Sequence, residues 1–568
     1  MIKEKIKEGL KRAVLKLQQE EKVFFNLPEF EVSFSSKKEF GDYSTNLPFL
    51  ISKFFKKDPI FISQKIKEKI LEEKESFIFK KIEVKGPGFL NFFLSDDFLF
   101  LELKKFFQNK GRIKFSLRKK KKIFIDYFSP NIAKRPSVSH LRSLIVGHTL
   151  FKIFNFYGHK ALGCNYLGDW GTQFGNLICN IKRKKIKIKD LTLEKMEKIY
   201  IDFHEKAKKD PSLLEQGRLW FLKMEKGDKE ALKIWKYCKD KTRKKIKEIL
   251  KKLNIKISLE SGESFFYKKA KRLALDLLKR RLAKKSQGAI IFEFENFPPQ
   301  ILLKSDNTTT YFARDLVSIK ERFEKYKPDL MIFEVGAEQK LYFEQLFLGV
   351  EKIFGFSKEK FFHLPHGLLK TKEGKLSTRE GRVIYLEEIL NEAKERAKKF
   401  LKEGLREKEK KEISQKVGFA GLIFNVLKHE PKSDIFFDWE NILNLKGDTG
   451  PYLQYSLLRA RRILEKARFQ PKRIKKLEKF RIEEKERELI IEILRFPEII
   501  EECVNKISPH FLAVFALNLA KKFNLFYDSL PVLSTKEKRD FRLILTFSFH
   551  SLLRQIFFLF SLPIPKKM

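Results

Sequence analysis

Hydrophobic positions recur at helical spacing from the first residues. In "MIKEKIKEGLKRAVLKL", Ile2, Ile6, Leu10, Val14 and Leu17 fall on one face, and Glu4 and Glu8 argue against a transit peptide. Further on, "KIEVKGPGFLNFFL" alternates on both sides of Gly86-Pro87-Gly88 and predicts a pair of strands. With the basic run "LRKKKK" at 117–122 as its end, residues 1–116 read as a small α/β domain. At Ile123 the rhythm changes. Ile123 to Phe128 has the pattern of a buried strand, and Ser129-Pro130-Asn131 breaks it. Pro136 and Ser137 then predict a helix start, with Leu144, Gly147, Phe151 and Phe154 following on one face. "ALGCNYLGDWGTQFG" is a second strand ending in a glycine-rich loop, so the unit is βαβ and implies a parallel sheet. Residues from about 180 to 288 are mainly charged amphipathic helix, and strand-like segments resume at "AIIFEF" and "DLMIFEVG". The expectation is a domain over 117–390 whose sheet is split by a mainly helical insertion. After "HGLLKTKEGKLSTREGRV" the pattern stays helical, which makes 391–568 a helical bundle. The fold class is therefore multidomain α/β plus all-α.

Composition narrows the function. The chain has 568 residues, 43% of them hydrophobic, enough for several cores. Lys and Arg total 121 against 74 Asp and Glu, a formal charge of +47, which favours a long polyanion and above all nucleic acid. A lysine-rich bias on solvated helix faces is the plainer reading of the same excess. Four cysteines form no CxxC pair and are too sparse for a disulfide scaffold, so a reducing cytoplasm is expected, with no metal site. The most apolar run, "LILTFSFHSLLRQIFFLFSLPI", is interrupted by His550 and Arg554; it is expected to be a buried helix, with no membrane partner.

Two stretches carry chemistry. The loop "SPNIAKRPSVSH" delivers a helix N-terminus, whose free N–H groups favour an anion, and Lys134 and His140 add donors beside it. A nucleotide phosphate fits there. Taken alone, the loop reads more simply as a strand–helix joint with a surface lysine and a packed histidine. The second stretch, "KTKEGKLSTREG", sets Lys370, Lys372, Lys375 and Arg379 beside Ser377 and Thr378 in a glycine-bounded loop suited to closing over a triphosphate.

Together these stretches are similar to the HIGH and KMSKS signatures of class I aminoacyl-tRNA synthetases. "SPNIAK…HLRS", "GDWGTQFG", "TTYFARD", "VGAEQ", "KLSTREG" and "GDTGPYLQYSLLRAR", in this order, resemble the arginyl-tRNA synthetases, and "FGDYSTNLPF" with "GPGFLNF" resembles that family's extra N-terminal domain. The resemblance implies a Rossmann-type catalytic domain, a tRNA-binding N-terminal domain and a C-terminal anticodon-binding bundle. It implies arginine, tRNA(Arg) and ATP with Mg²⁺ as partners, no tightly bound cofactor, and a cytoplasmic monomer. By the same resemblance Lys134, His140, Lys375 and Ser377 are catalytic, and Ser137, Ser139, His140 and Lys375 bind ATP. Asp126, Ser129, Asn131, Tyr311, Asp315 and Gln339 would hold arginine, with carboxylates reading the guanidinium fork. Tyr43 and Asn46, with Tyr452, Tyr455, Arg459 and Arg462, would meet tRNA. Three positions depart from the motifs. Ser137 and Ser139 replace the first histidine and the glycine of HIGH, and Thr378 stands where KMSKS has its second lysine, a charge the family supplies from the position of Lys134. The two serines leave a rival reading, a catalytically impaired synthetase-like protein that binds RNA.

Overall fold

The computed structural model describes all residues except 36, 372–373, 376–377, 380–381, 402–403, 472–480 and 536; at 75, 371, 374–375, 378–379 and 382 only the backbone is described. The chain forms two compact units. One gathers Met1–Lys114, Tyr455–Glu502 and Val514–Ile556; the other gathers Phe115–Gln454, Cys503–Ala513 and Phe557–Met568.

In the first unit, β1 (Val32–Phe34), β2 (Tyr43–Thr45), β3 (Phe79–Lys85) and β4 (Phe89–Leu94) form an antiparallel sheet in the order β1-β2-β4-β3. The β3–β4 pair is the one predicted around Gly86-Pro87-Gly88. Helix Ile2–Glu21 buries the expected stripe Ile2, Ile6, Leu10, Val14 and Leu17. Arg487, on helix Glu484–Asn505, forks onto Asp42 with bonds of 3.0 and 2.7 Å, so sheet and C-terminal helices share one unit. The apolar run near the C-terminus is helix Arg539–Phe560; it is long and apolar enough to cross a membrane, and two-thirds of it is buried inside the protein, with Phe549 stacked on Phe523 at 3.8 Å.

The second unit holds the parallel sheet. Its strands are β5 (Lys122–Asp126), β6 (Lys160–Leu167) and β7 (Leu259–Gly262), followed after an excursion by β11 (Leu330–Gly336) and β12 (Phe361–His366), in the order β12-β11-β5-β6-β7. The chain starts in the middle, runs to one edge and returns to the other side of β5. A crevice therefore opens between the carboxyl ends of β5 and β11, where such sheets bind ligands. The excursion is β8 (Lys284–Ser286), β9 (Ala289–Phe292) and β10 (Gln300–Leu303), a small antiparallel sheet.

Three expectations are corrected. "AIIFEF" supplies β9 of the small sheet and not a strand of the parallel one. The helical insertion contains a strand of the main sheet, β7, whose sequence "LESG" is polar and short because it lies at the edge. The helix expected from Pro136 begins at His140, because the preceding backbone is used elsewhere: Val138 N–H donates to Ile384 O at 3.0 Å and Leu386 N–H to Pro136 O at 2.8 Å.

Candidate active site

The loop after β5 is held in an unusual path. Phe128 and Ala133 both have φ of 67°, a left-handed conformation that costs side-chain-bearing residues energy and gathers at functional sites. The loop is fixed from both sides. Ile132 N–H donates to Gly168 O at 3.1 Å and Gly168 N–H to Pro130 O at 3.2 Å, stitching it to the loop after β6. A Cβ on Gly168 would lie 2.2 Å from Asn131 Oδ1, so any larger residue there would have to displace the Asn131 side chain. Gly147 is held more tightly still: a Cβ on the following helix would lie 2.3 Å from Tyr127 Cβ and 2.4 Å from Cγ of its ring.

At the crevice is a cavity of about 480 Å³, and Asp126, Ser129, Asn131, Tyr311, Asp315 and Gln339 all line it. Helix Tyr311–Tyr326, capped by Thr310 Oγ1 accepting from Ala313 N–H, presents Tyr311, Asp315 and Arg322 to this space. Asp315 Oδ2 accepts from the Tyr342 hydroxyl, whereas its Oδ1 is buried with no partner. The Tyr166 hydroxyl also faces this carboxylate without completing a hydrogen bond. Burial holds the Asp315 carboxyl above its ordinary value. Asp126 differs. It lines the cavity, but its Oδ2 takes a 2.6 Å bond from Arg322 and its Oδ1 a 3.3 Å bond from Ser129, so the protein's own guanidinium meets its charge.

Glu263, which sequence reasoning missed, completes the acidic wall. It lines the same cavity, and burial, with Asp315 and Asp169 adding repulsion against the pull of Arg314 3.3 Å away, pushes its carboxyl up to about 7. Its loop is anchored by fully buried Asp169 of "GDWG", which accepts from Ser264 N–H at 2.8 Å and Ser264 Oγ at 2.6 Å and pairs with Lys239 at 2.5 Å. The only sequence signal was a glycine-flanked acidic residue, "SGES", after a segment that did not read as a strand. Counting charges, Asp126 is answered by Arg322 and Glu263 by Arg314. Asp315 lines the cavity with no ion pair of its own; the Arg314 and Arg322 charges act on it, and its Oδ1 is buried without a hydrogen-bond partner.

The residues expected to meet ATP sit around the helix start beside this cavity's loop. His140 Nδ1 lies 3.1 Å from Ser137 Oγ and 3.2 Å from Ser137 O, and Ser137 Oγ lies 2.6 Å from Ser139 Oγ. Burial is the main cause holding His140 below its ordinary value. Lys134 rests its ammonium 4.3 Å above the Tyr200 ring, half-buried, and desolvation lowers its pKa. Arg135 is fixed on Glu197 at 2.8 Å and stacked on Tyr385 at 3.5 Å. Val138 and Pro136 bond Ile384 and Leu386, so the segment that follows the lysine loop lies directly beside this helix start. Ser377 lies outside the described residues; Lys375 is described by its backbone alone, paired with Lys370.

Of the residues expected at RNA, Tyr455 and Arg459 share an exposed face with Tyr527: the Arg459 guanidinium lies 5.0 Å from the Tyr455 ring and 4.8 Å from that of Tyr527, and each tyrosine is 39% exposed. Arg462 and Asn46 are exposed and Tyr452 half-buried. Tyr43 is fully buried, its hydroxyl donating to Glu498 at 3.0 Å, so its ring is part of a core and presents no face to a ligand.

A parallel sheet with this strand order, a histidine-bearing helix start and a lysine loop beside it define a class I aminoacyl-tRNA synthetase. Residues 102–439 match the family described as tRNA synthetases class I (R), catalytic domain; residues 1–94 match the arginyl tRNA synthetase N terminal domain and 453–568 the DALR anticodon binding domain. The chain belongs to the arginyl-tRNA synthetase family. It is 33% identical to an arginine–tRNA ligase of Halothermothrix orenii, over 96% of this chain and 97% of the relative, and 34% identical to arginine–tRNA ligase 2 of Bacillus anthracis, over 93% and 94%. Its fold superposes on the arginyl-tRNA synthetase of Plasmodium falciparum with a TM-score of 0.83 at 25% identity, covering 100% of this chain and 99% of that one. The Thermus thermophilus arginyl-tRNA synthetase shares the fold, with a TM-score of 0.79 at 23% identity and full coverage of both chains.

Proposed function

We propose that this chain is an arginine–tRNA ligase that activates L-arginine with the magnesium complex of ATP and passes the arginyl group to the terminal adenosine of tRNA(Arg), working as a cytoplasmic monomer. The observation that carries the reading is the cavity at the sheet's switch point, with a buried Asp315 oxygen that lacks a partner beside the Glu263 carboxyl. A guanidinium offers planar paired donors and one positive charge, which is what this wall lacks; the point charge of a lysine cannot satisfy both carboxylates at once.

With the side chain held there, Ser129 and Asn131 lie toward the nucleotide loop and take the α-amino and carboxylate end. The arginine carboxylate oxygen attacks the α-phosphorus, the bond to the β-phosphate oxygen breaks, and pyrophosphate leaves. A terminal hydroxyl of the tRNA then attacks the carbonyl carbon, AMP leaves, and the hydroxyl proton passes to solvent. Such transfer depends on positioning and charge neutralisation rather than on a protein nucleophile. Magnesium enters this reading on the triphosphate, as part of the substrate. Lys134 supplies the charge that Thr378 does not, from an ammonium seated over the Tyr200 ring. Tyr455, Arg459 and Tyr527 offer RNA a stacking and phosphate-binding surface.

The test is charging of tRNA(Arg) with labelled arginine. The parent protein is expected to charge, and Lys134→Ala to lose roughly 10²-fold or more in kcat, as for loss of one transition-state donor. A folded parent that does not charge sinks the ligase reading, and equal charging by the variant removes Lys134 from the reaction.

A further inference from the structure

Beneath the nucleotide helix and the stem of the lysine loop lies a charged cluster that the arginine cavity does not use. Arg142, two residues after His140, is 1% exposed; its Nη2 donates to Glu430 O at 2.8 Å, while Nε and Nη1 are buried with no partner. Glu334 on β11 is 2% exposed, and neither of its carboxylate oxygens completes a hydrogen bond. His366, the last residue of β12, brings Nδ1 to 3.1 Å from Glu334 Oε1, an ion-pair distance off hydrogen-bond geometry. Buried charges left this incompletely satisfied are costly unless each answers another.

The three residues stand at the roots of three segments that border the candidate site. Arg142 belongs to the helix that begins at His140. Glu334 precedes the Gly336–Gln339 turn at the rim of the arginine cavity. His366 opens the lysine-loop stem, which is pinned to residues 430–437: Gly367 N–H donates to Pro431 O at 3.0 Å, Leu368 N–H to Asp434 Oδ1 at 2.7 Å and Phe437 N–H to Lys370 O at 2.7 Å. A Cβ on Gly367 would lie 2.6 Å from the Ser433 backbone, so the stem has no slack there. Arg142 grips the same segment through Glu430.

We propose that Arg142, Glu334 and His366 form a proton-dependent brace that positions the stem of the lysine loop against the nucleotide helix, and that the affinity for ATP therefore follows the protonation of His366. The proposal rests on the ligase reading. The groups facing His366 are Glu334 from β11, Glu338 from the turn after it, Arg142 and His140 from the nucleotide helix, and His363 from its own strand. Burial pulls the His366 imidazole down, but the charge and contact of Glu334 outweigh it, and the net direction is up. The brace is thus whole below that raised value and is lost as pH rises through it. His366 also acts on its neighbour, since its positive charge helps hold His140 neutral.

The experiment measures KM for ATP and for arginine against pH in arginine- and tRNA-dependent pyrophosphate exchange, for the full chain, His366→Gln, Glu334→Gln and the double variant. In the parent, KM for ATP is expected to rise by about tenfold, the loss of one charge-assisted contact, as pH climbs through a value above that of an ordinary imidazole. His366→Gln is expected to show the high KM at every pH, Glu334→Gln to move the rise to lower pH, and the double variant to be flat. KM for arginine does not share this rise, because ionisation of Glu263 favours arginine in the same direction of pH. A parent whose KM for ATP is flat, or a His366→Gln protein that keeps the parental rise, overturns the brace. Should the single variants fail to fold, the parent profile and the double variant decide alone. A parent with no exchange at any pH overturns both the ligase reading and the brace; exchange with an unaltered pH profile overturns the brace only.

Discussion

Replacing Asp315 by asparagine changes one atom and isolates the charge. The amide oxygen can still accept from the Tyr342 hydroxyl, so the position keeps its shape and its contact with helix Lys340–Phe354. What disappears is the acceptor at Oδ1 that is buried without a partner in the free protein. A hydrogen bond between charged groups contributes about 1.5–3 kcal/mol, so KM for arginine should rise roughly 10- to 150-fold, with KM for ATP unchanged. Two further consequences distinguish this account from general damage. Burial holds the Asp315 carboxyl above its unfolded value, and an acid shifted that way opposes folding at neutral pH, where it must ionise; the variant should therefore melt higher than the parent in the absence of ligand. Arginine should then stabilise the parent much more than the variant. Asp315 is also one of the charges that lift Glu263 to about 7, so parental arginine affinity should improve as pH rises through about 7 and this inflection should fall to lower pH in the variant. The assay is arginine dependence of pyrophosphate exchange across pH, beside thermal melts with and without arginine. An unchanged KM for arginine, or a variant that melts lower and is rescued by arginine as fully as the parent, refutes the reasoning.

Gly147→Ala should destabilise the protein by about 1–3 kcal/mol, because the added methyl overlaps the Tyr127 ring and neither the helix nor the β5 loop can yield freely; thermal or urea unfolding measures it, and an unchanged midpoint contradicts the packing argument. Arg459→Ala should raise KM for tRNA and flatten the salt dependence of tRNA binding by about one phosphate contact, with arginine- and ATP-dependent kinetics intact; a salt series that keeps the parental slope removes Arg459 from the RNA surface.

Local pattern revealed the elements whose signal is local. The β3–β4 pair, β5, β6, β11 and the long amphipathic helices each carry a period or a turn that can be read from a dozen residues. β7 could not be read that way: "LESG" becomes a strand only because the open edge of β6 lies beside it. The site divides along the same line. The loops bearing Lys134 and His140 are continuous stretches, but the charge state of the cavity depends on pairs far apart in sequence. Arg322 answers Asp126 from 196 residues away and Arg314 answers Glu263 from 51, and no spacing rule ties either pair together. Tyr43 shows the reverse error. The resemblance assigned it to tRNA, but its ring is buried and its hydroxyl meets Glu498, 455 residues along the chain.

The serines at 137 and 139 bear on whether this chain is an enzyme or a protein that only holds RNA, and the structure gives each side of that question something physical. Ser139 has φ of −58° and ψ of −30°, so a Cβ at this position costs no backbone strain, and its side chain is exposed with the hydroxyl turned to Ser137. Ser137 in turn lies against His140, so the two substitutions act together as a short hydrogen-bonded chain that orients the remaining histidine. A site released from catalysis has no reason to keep anything costly, and here the cost remains in place: two buried carboxyls, Asp315 held up by burial and Glu263 by burial and the charge of Asp315, with the Asp315 Oδ1 buried and lacking a hydrogen-bond partner. RNA offers no cation to fill that cavity, and a lysine-rich surface would serve RNA equally well without it. On the proposed reading a guanidinium would supply the partner this wall lacks, which is why the pocket, more than the nucleotide loops, argues for a working ligase.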